Sequence, residues 1–211
     1  MCKKLCLIFL ALMISLGAYG CAIEHFSDRD MDIYEKIHKH YSKMNSYSAV
    51  FEFEVTSNKT EKQYTAIQKT LSPDKFYTNV QSKNSGLAVT TITNGNKTKT
   101  ITEGSDYFVT VPTAEHLGLL FVNRFFSTYY GSEETALVVN RAATSHVTVL
   151  TTDLSALDTV YETATLTIDN KTLSPIELSL KDKEGTPLLC GTYKDFRYND
   201  KTVEESIFSV T

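Results

Sequence analysis

The sequence predicts a single α+β domain in which a curved antiparallel sheet wraps one strongly apolar helix. Three observations predict this fold. The segment 113–130, TAEHLGLLFVNRFFSTYY, has too many apolar residues for one stripe of a surface helix, so we expect this helix to be largely enclosed. On both sides of it, segments rich in Thr, Val and Tyr alternate with period two, as antiparallel strands with one wet face do. The chain of 211 residues has no internal repeat and no low-complexity linker.

The first twenty residues have the features of a bacterial lipoprotein signal peptide. Lys3 and Lys4 form a positive segment, and the apolar run from Leu5 to Leu16 is too short to span a bilayer comfortably. Small residues then precede Cys21 in the sequence AYGC, which resembles a lipobox. We therefore expect cleavage before Cys21 and diacylation of its thiol, which would anchor the exported chain to the outer face of a bacterial membrane. The alternative is an ordinary secretory signal that ends near a cysteine by chance.

Cleavage would divide the chain into a signal peptide (1–20), a lipidated tether (21–30) and one domain (31–211). It removes two of the 21 basic residues and none of the 25 acidic ones, which leaves a net charge of −6. An acidic chain without a basic block does not resemble a nucleic-acid-binding protein. With Cys21 acylated, Cys190 is the remaining thiol of the mature chain, and we expect it to be a small buried hydrophobe within a strand.

The elements can be predicted in chain order from the spacing of apolar residues. An amphipathic helix is expected after Ser27, whose residue type suits an N-cap, with apolar residues at helical spacing at Met31, Tyr34, Ile37, Tyr41 and Met44. Strands are predicted at 47–56, through Tyr64 and Ile67, and at 75–81, 87–92, 97–102 and 107–111. After the central helix, which we expect to end at Gly131, residues 132–143 are predicted to form a second short helix. Further strands are predicted at 145–151, 160–168, 175–181 and 186–198, and residues 203–210 as a last strand or a packed tail.

No catalytic motif is recognised anywhere in the sequence. Glu35 and His38 have the i,i+3 spacing of a helical metal motif, but a di-metal carboxylate bundle needs that motif twice, and a solvated helix face explains one copy. No zinc-protease, nucleophile-elbow or phosphate-loop pattern occurs. We therefore expect a protein without enzymatic activity, without a cofactor and without a metal site.

The candidate functional residues lie on the central apolar helix: Leu117, Leu120, Phe121, Phe125 and Tyr129. In one interpretation these side chains fill the core. In the other they line a hydrophobic groove between helix and sheet that holds acyl chains, since apolar clefts with few polar groups are typical binding sites. Both interpretations remain open at the level of the sequence.

Five stretches, taken in order, resemble the LolA/LolB-like lipoprotein-carrier superfamily. They are MNSYSA at 44–49, SPDKFY at 72–77, ITNGNK at 92–97, ATLTID at 164–169 with SPIEL at 174–178, and GTY at 191–193 followed by Phe196. The resemblance covers most of the mature chain. It implies an incomplete antiparallel β-barrel, the LolA-like half-barrel, with helices covering its concave face. Within the superfamily, the size and lipobox are similar to those of the clostridial germination lipoproteins of the GerS type.

This resemblance also implies a function. GerS-like lipoproteins are non-enzymatic and support a zinc-dependent N-acetylmuramoyl-L-alanine amidase of the CwlD type, which modifies spore cortex peptidoglycan and is needed for germination. The expected partner is then such an amidase, and the expected location is the forespore or spore membrane. The alternative is a LolA- or LolB-like carrier or acceptor of lipoproteins or acyl chains. If Cys21 is diacylated, the acceptor remains possible and the shuttling carrier is excluded, because a shuttling carrier must diffuse away from the membrane.

Overall fold

The computed structural model describes residues 28–57, 60–105, 108–112, 118–142 and 145–210. The chain forms two units, residues 1–32 and 33–211. In the first unit the described residues are 28–32, which begin a helix. The predicted signal peptide, Cys21, most of the predicted tether, its cap Ser27 and the groove residue Leu117 lie outside the described residues. None of the helices in the described ranges is both long enough and apolar enough to cross a membrane.

The described residues form two α-helices, eleven strands and one 3-10 turn. In chain order these are α1 (Asp28–Tyr41), β1 (Ser46–Ser57), β2 (Thr60–Leu71), β3 (Lys75–Ser82), β4 (Ala88–Asn94), β5 (Lys97–Thr102), β6 (Phe108–Pro112), α2 (Val122–Gly131), β7 (Thr135–Ala142), β8 (Ser145–Asp153), β9 (Thr163–Asp169), β10 (Pro175–Lys181), β11 (Pro187–Tyr198) and the 3-10 turn (Glu205–Phe208).

All eleven strands belong to one antiparallel sheet with the order β6-β5-β4-β3-β2-β1-β11-β10-β9-β8-β7. Each half is a meander, and the first strand pairs with the last strand in the middle of the sheet. Strands β6 and β7 follow each other in sequence yet lie at opposite edges, and helix α2 belongs to the connection between them. Among the described residues the two edges do not meet. The predicted incomplete antiparallel barrel with helices over its concave face is confirmed.

The core of the unit 33–211 lies between the inward side of the sheet and the two helices. In β1, Tyr47, Ala49, Phe51 and Phe53 are buried and alternate with half-exposed residues, as the period-two pattern predicted. Helix α2 contributes its buried side chains to the same cluster: Val122, Phe125, Phe126 and Tyr129. Helix α1 adds Ile37 and Tyr41, and the Tyr41 ring stacks on Phe126 at 4.1 Å between centroids. Each buried large side chain of this kind stabilises the fold by about 1.5–3 kcal/mol.

The aromatic residues of β1 pack so tightly that the facing strand carries a glycine. A Cβ atom on Gly191 of β11 would lie 2.7 Å from Phe51 Cε2 and 2.5 Å from Phe53 Cβ, distances that real Cβ atoms do not reach. Gly191 is itself buried and pairs with Phe53 across the sheet. The absence of a side chain at this position therefore lets the two phenylalanine rings lie across β11.

Three sequence expectations are wrong. Residues 118–120, predicted to be helical, form a turn in which Gly118 has φ +112, and the described helix begins at Val122; the predicted start at Thr113 lies outside the described residues. Residues 135–142 form strand β7 and not a second helix, because they pair with β8 in an antiparallel ladder. Cys190 is exposed instead of buried, because its neighbours Leu189 and Gly191 occupy the inward positions of β11.

Of the two alternatives for the C-terminal segment, the structure shows the packed tail, in which Phe208 is fully buried, and not a strand.

Candidate functional site

A buried polar network fixes the start of helix α2 to the floor of the sheet. The Tyr47 hydroxyl accepts a 3.1 Å hydrogen bond from the Val122 N–H and donates one of 3.1 Å to Gln68 Oε1. The Gln68 amide donates to the Leu120 carbonyl at 3.1 Å, and the Tyr193 hydroxyl donates to the same carbonyl at 2.9 Å. The residue before the helix, Phe121, offers no side-chain cap, so this network replaces one. The helix thus has one fixed position on the sheet.

Burial keeps the tyrosines of this network neutral. Desolvation raises the pKa of Tyr47 and of Tyr193 well above the ordinary value, because a phenolate would lose its hydration inside the core. Their hydroxyl groups therefore remain hydrogen-bonding groups without charge at physiological pH. The network is structural and contains no activated base.

The described groove residues, which lie on α2 or just before it, belong to the core cluster or pack against it. Phe121, Phe125 and Tyr129 are 6%, 2% and 6% exposed, and Leu120 is half-buried with its carbonyl in the polar network. The rings of Phe125 and Tyr129 stack at 6.0 Å, and Phe121 packs against Phe76 at 5.0 Å. The structure therefore brings these four side chains together in the core. That they form an acyl-chain groove stays a prediction.

A cleft of about 720 Å³ opens on the other side of α2, between the helix and the loop that follows β8. Its lining is mixed, with Arg124, Thr128, Glu133, Glu134, Asp153 and Leu157 among the residues that contribute. The Arg124 guanidinium lies 5.5 Å from the centre of the Phe76 ring. Charged groups of both signs suit a polypeptide ligand better than an acyl chain, because a buried hydrocarbon leaves such groups without solvation.

Strand β7 lies at the edge of the sheet directly beside this cleft. It is eight residues long, contains neither Lys nor Pro, and pairs with β8 from Thr135 to Ala142 without a register shift. The other edge strand, β6, is five residues long and ends at Pro112. Natural proteins protect edge strands by shortness, Lys, Pro or bulges. By these measures β6 is protected and β7 is not, so β7 is the better place for a partner to pair with the sheet.

The sequence interpretation missed both the edge strand and the cleft. The signal for β7 was weak: Val138 and Val139 are β-branched and favour a strand, but the short apolar run 136–139 does not alternate with polar residues. The cleft depends on how α2, β7 and the loop after β8 pack, which no local pattern records. Glu35 and His38, which have the spacing of a helical metal motif, lie exposed on α1, and the His38 ring packs edge-on against Tyr130 at 4.8 Å. Among the described residues no group of three or more His, Cys, Asp or Glu side chains is placed to hold a metal ion.

The chain belongs to the sporulation protein YdcC-like family, whose model matches residues 2–208. No curated protein matches it. The fold is shared with an uncharacterised conserved protein from Thermus thermophilus, which is 12% identical at a TM-score of 0.54 over 86% of this chain and 93% of that chain.

Two further solved structures are similar to this chain. One is a chain from the structure of the complex between the CwlD amidase of Clostridioides difficile and the GerS lipoprotein, with 26% identity, a TM-score of 0.47, and coverage of 83% of this chain and 99% of that chain. The other is the LolA superfamily protein NE2245 from Nitrosomonas europaea, with 12% identity, a TM-score of 0.45, and coverage of 85% and 96%. Both groups to which the sequence motifs pointed are thus represented, and the predicted resemblance is confirmed.

Proposed function

We propose that this protein is a non-enzymatic lipoprotein, anchored through Cys21 to the outer face of a membrane, that binds and activates a cell-wall amidase of the CwlD type. The amidase would act on spore cortex peptidoglycan, so the pair would be needed for germination. Membership of a sporulation-associated family supports a role in spore formation. The class of the partner comes from the sequence motifs that resemble GerS-like lipoproteins.

The observation that carries this proposal is the filling of the concave face. A carrier needs an open apolar cavity for its acyl chains, whereas here the aromatic side chains of α2 occupy the space above the sheet. Phe125 is 2% exposed and Val122 is fully buried, and the polar network around Tyr47 holds the helix in place. Two surfaces of the described residues then support binding of a partner: the edge strand β7, where no described strand pairs on one side, and the cleft beside α2.

A binding protein can activate an enzyme only through a difference in affinity. If the chain binds the active conformation of the amidase more tightly than the inactive one, it shifts the enzyme toward the active conformation. The activation should then saturate as the concentration of this chain rises. It should also appear as tighter binding of metal or substrate by the amidase, because the two binding free energies are coupled.

The test uses the full-length lipoprotein, purified in detergent, and the CwlD-type amidase of the same organism. Complex formation is followed by sedimentation, and catalysis by the release of peptide from glycan strands. We expect a complex at micromolar concentration, saturable activation of the amidase, and no peptide release by the lipoprotein alone. The absence of a complex, together with acyl lipid that co-purifies with the lipoprotein, would overturn this proposal in favour of an acyl-chain acceptor.

A further inference from the structure

We propose that the amidase docks by adding one extended segment to the sheet, antiparallel to β7, with Lys or Arg residues just after that segment. This inference rests on the proposed function and specifies the surface and the chemistry of the contact. It is carried by the backbone direction of β7, by its side chains, and by the charge at its start.

The backbone of β7 presents alternate residues to the free edge. Ala142 pairs with Ser145, and two residues connect them. In a hairpin with a two-residue connection, the pair that closes the connection exchanges both of its backbone hydrogen bonds. The even-numbered residues of β7 therefore bond to β8, and the hydrogen bond of 3.2 Å from the Asp153 N–H to the Glu134 carbonyl agrees with this assignment. The N–H and C=O groups of residues 135, 137, 139 and 141 then point away from β8. In the described part of the chain no strand pairs with that side of β7.

The side chains of β7 suit an apolar partner strand. Leu137 points into the core and is 8% exposed, whereas Val138 on the outward face is 56% exposed. On the same outward face, β8 offers the half-buried Val147 and Val149, and Val149 is the cross-strand partner of Val138. A docking segment with a β-branched or aromatic residue beside Val138 would cover this exposed apolar surface. Backbone pairing would supply affinity, and the outward side-chain row would supply specificity.

The charge at the start of β7 gives the orientation of the partner strand. Glu133 and Glu134 are exposed and immediately precede the strand, and with Asp153 they line the adjacent cleft. Every pairing in the sheet is antiparallel, and antiparallel pairs are slightly more stable than parallel ones. In an antiparallel complex, the residues that follow the partner segment lie opposite those that precede β7. Basic residues at that end would therefore face Glu133 and Glu134.

Hydrogen exchange of individual amides provides a direct test with the full-length chain in detergent. In the chain alone, we expect the amides of Thr135, Leu137 and Val139 to exchange quickly, and those of Ala136 and Val138 to be protected by β8. Addition of the amidase should slow the three odd-numbered amides by at least about tenfold. Equal protection of odd and even amides in the chain alone would overturn the inference, since another segment of this chain or a second copy would then cover the edge. Unchanged odd amides in a complex that forms would overturn it as well.

A matched pair of proline substitutions tests the same edge by affinity. Val139→Pro removes an N–H that faces the free edge at β7 and leaves the bonds to β8 in place. Thr110→Pro is the control on the opposite edge. Asn94 and Lys97 close a two-residue connection, so these two residues bond to each other across β4 and β5. The next residues alternate, and Thr98 and Thr100 of β5 therefore bond to Val111 and Val109 of β6. The N–H of Thr110, which lies between those two valines, points away from β5. We expect Val139→Pro to weaken amidase binding about tenfold or more, and Thr110→Pro to leave it unchanged.

Two further variants keep the test decisive where a proline weakens folding. Val138→Lys adds a charge to an exposed position on the edge strand. We expect the fold to tolerate this charge and the docking of a partner strand to be weakened by it. The double variant Glu133→Lys, Glu134→Lys should slow association several-fold at low salt, with the exposed Glu61→Lys on β2 as its control. If the wild-type chain forms no complex, the proposed function fails and this inference with it. If the wild-type chain binds and all edge variants bind equally well, only this inference fails.

Discussion

The Tyr47 hydroxyl accepts a 3.1 Å hydrogen bond from the backbone N–H of Val122, so a strand side chain caps helix α2 from inside the core. The same hydroxyl donates to Gln68, whose side chain is 1% exposed and reaches the Leu120 carbonyl. One phenol group therefore joins the central strand of the sheet to the first turn of the helix. In many helices a Ser, Thr, Asp or Asn just before the first turn supplies a side-chain cap, and Phe121 cannot supply one.

Tyr47→Phe should destabilise the fold by about 1–3 kcal/mol, because it leaves the buried Val122 N–H and the Gln68 Oε1 atom without this partner. Urea unfolding of the two proteins measures the difference. Tyr64→Phe is the control, since Tyr64 is half-buried and makes no hydroxyl hydrogen bond within the described residues. Equal stability of Tyr47→Phe and the wild-type chain would contradict the capping role.

The stability of the fold should fall in alkaline solution. Burial raises the pKa of Tyr41, Tyr47 and Tyr193 above that of tyrosine in the unfolded chain, which is about 10. The folded state therefore holds these protons more tightly than the unfolded state. The stabilising contribution is complete below about pH 10 and is lost as pH rises toward the raised folded-state values.

Urea unfolding at a series of pH values, with tyrosinate absorbance as a second signal, measures this dependence. The Tyr47→Phe variant should lose less stability between neutral and alkaline pH than the wild-type chain, because it has one buried phenol fewer. A wild-type stability that stays constant well above about pH 10 would show that the tyrosines ionise alike in both states.

Gly191→Ala should destabilise the fold by about 1–3 kcal/mol, because an added Cβ would overlap Phe51 and Phe53 and force one ring to move. Gly131→Ala at the end of α2 is the matched control. No heavy atom lies within 4 Å of its added Cβ, so that variant should stay within about 0.5 kcal/mol of the wild type. Thermal and urea unfolding of both variants decide, and equal effects at the two sites would contradict the packing argument.

Phe125→Ala should cost about 3–5 kcal/mol, the usual range for truncation of a buried phenylalanine. Phe125 is 2% exposed and packs against Phe126 and Tyr129. Ser127→Ala on the exposed side of the same helix should change stability little. A cost near zero for Phe125→Ala would instead indicate a residue that lines a ligand groove, and would favour an acyl-chain acceptor.

Cys21→Ser should release the chain from membranes and leave its unfolding transition unchanged, because the variant lacks the thiol that would carry both acyl chains. Cell fractionation with a high-salt wash measures retention. Cys190→Ser is the control and should remain in the membrane fraction, since Cys190 lies exposed on β11 of the folded unit. If the Cys21→Ser variant still sediments with membranes after the wash, the chain is held by some other means.

Strand positions were predictable wherever a turn signal and a period-two pattern agreed. Lys97–Thr102 and Pro175–Lys181 have the predicted bounds, and Gly95 takes the positive φ that the turn before β5 requires. The pairing of β1 with β11 was not predictable, because it joins residues about 140 positions apart and no local pattern encodes the choice of partner.

The errors arose where local patterns were ambiguous. A short apolar run such as Leu137-Val138-Val139 fits either a helix or a strand, and the hydrogen bonds to β8 decide between them. The sequence LLCGTY can bury either of its alternating sets of residues, and the aromatic rings that lie over Gly191 select the set without Cys190. The edge and the cleft proposed for binding depend on these same long-range contacts, so they could not be predicted.

The pairing of β1 with β11 has a consequence for biosynthesis. Strand β11 is the last strand in chain order, yet it occupies the centre of the sheet. Ribosomes and export channels deliver a chain from its N-terminal end, so the strands of both meanders up to β10 emerge before the strand that joins them. Until then β1 and β10 each lack a neighbour on one side and present open hydrogen-bonding edges to other chains. A nonsense mutation upstream of Pro187 would leave that state permanent, and the product should be degraded or aggregate instead of accumulating as a shorter protein.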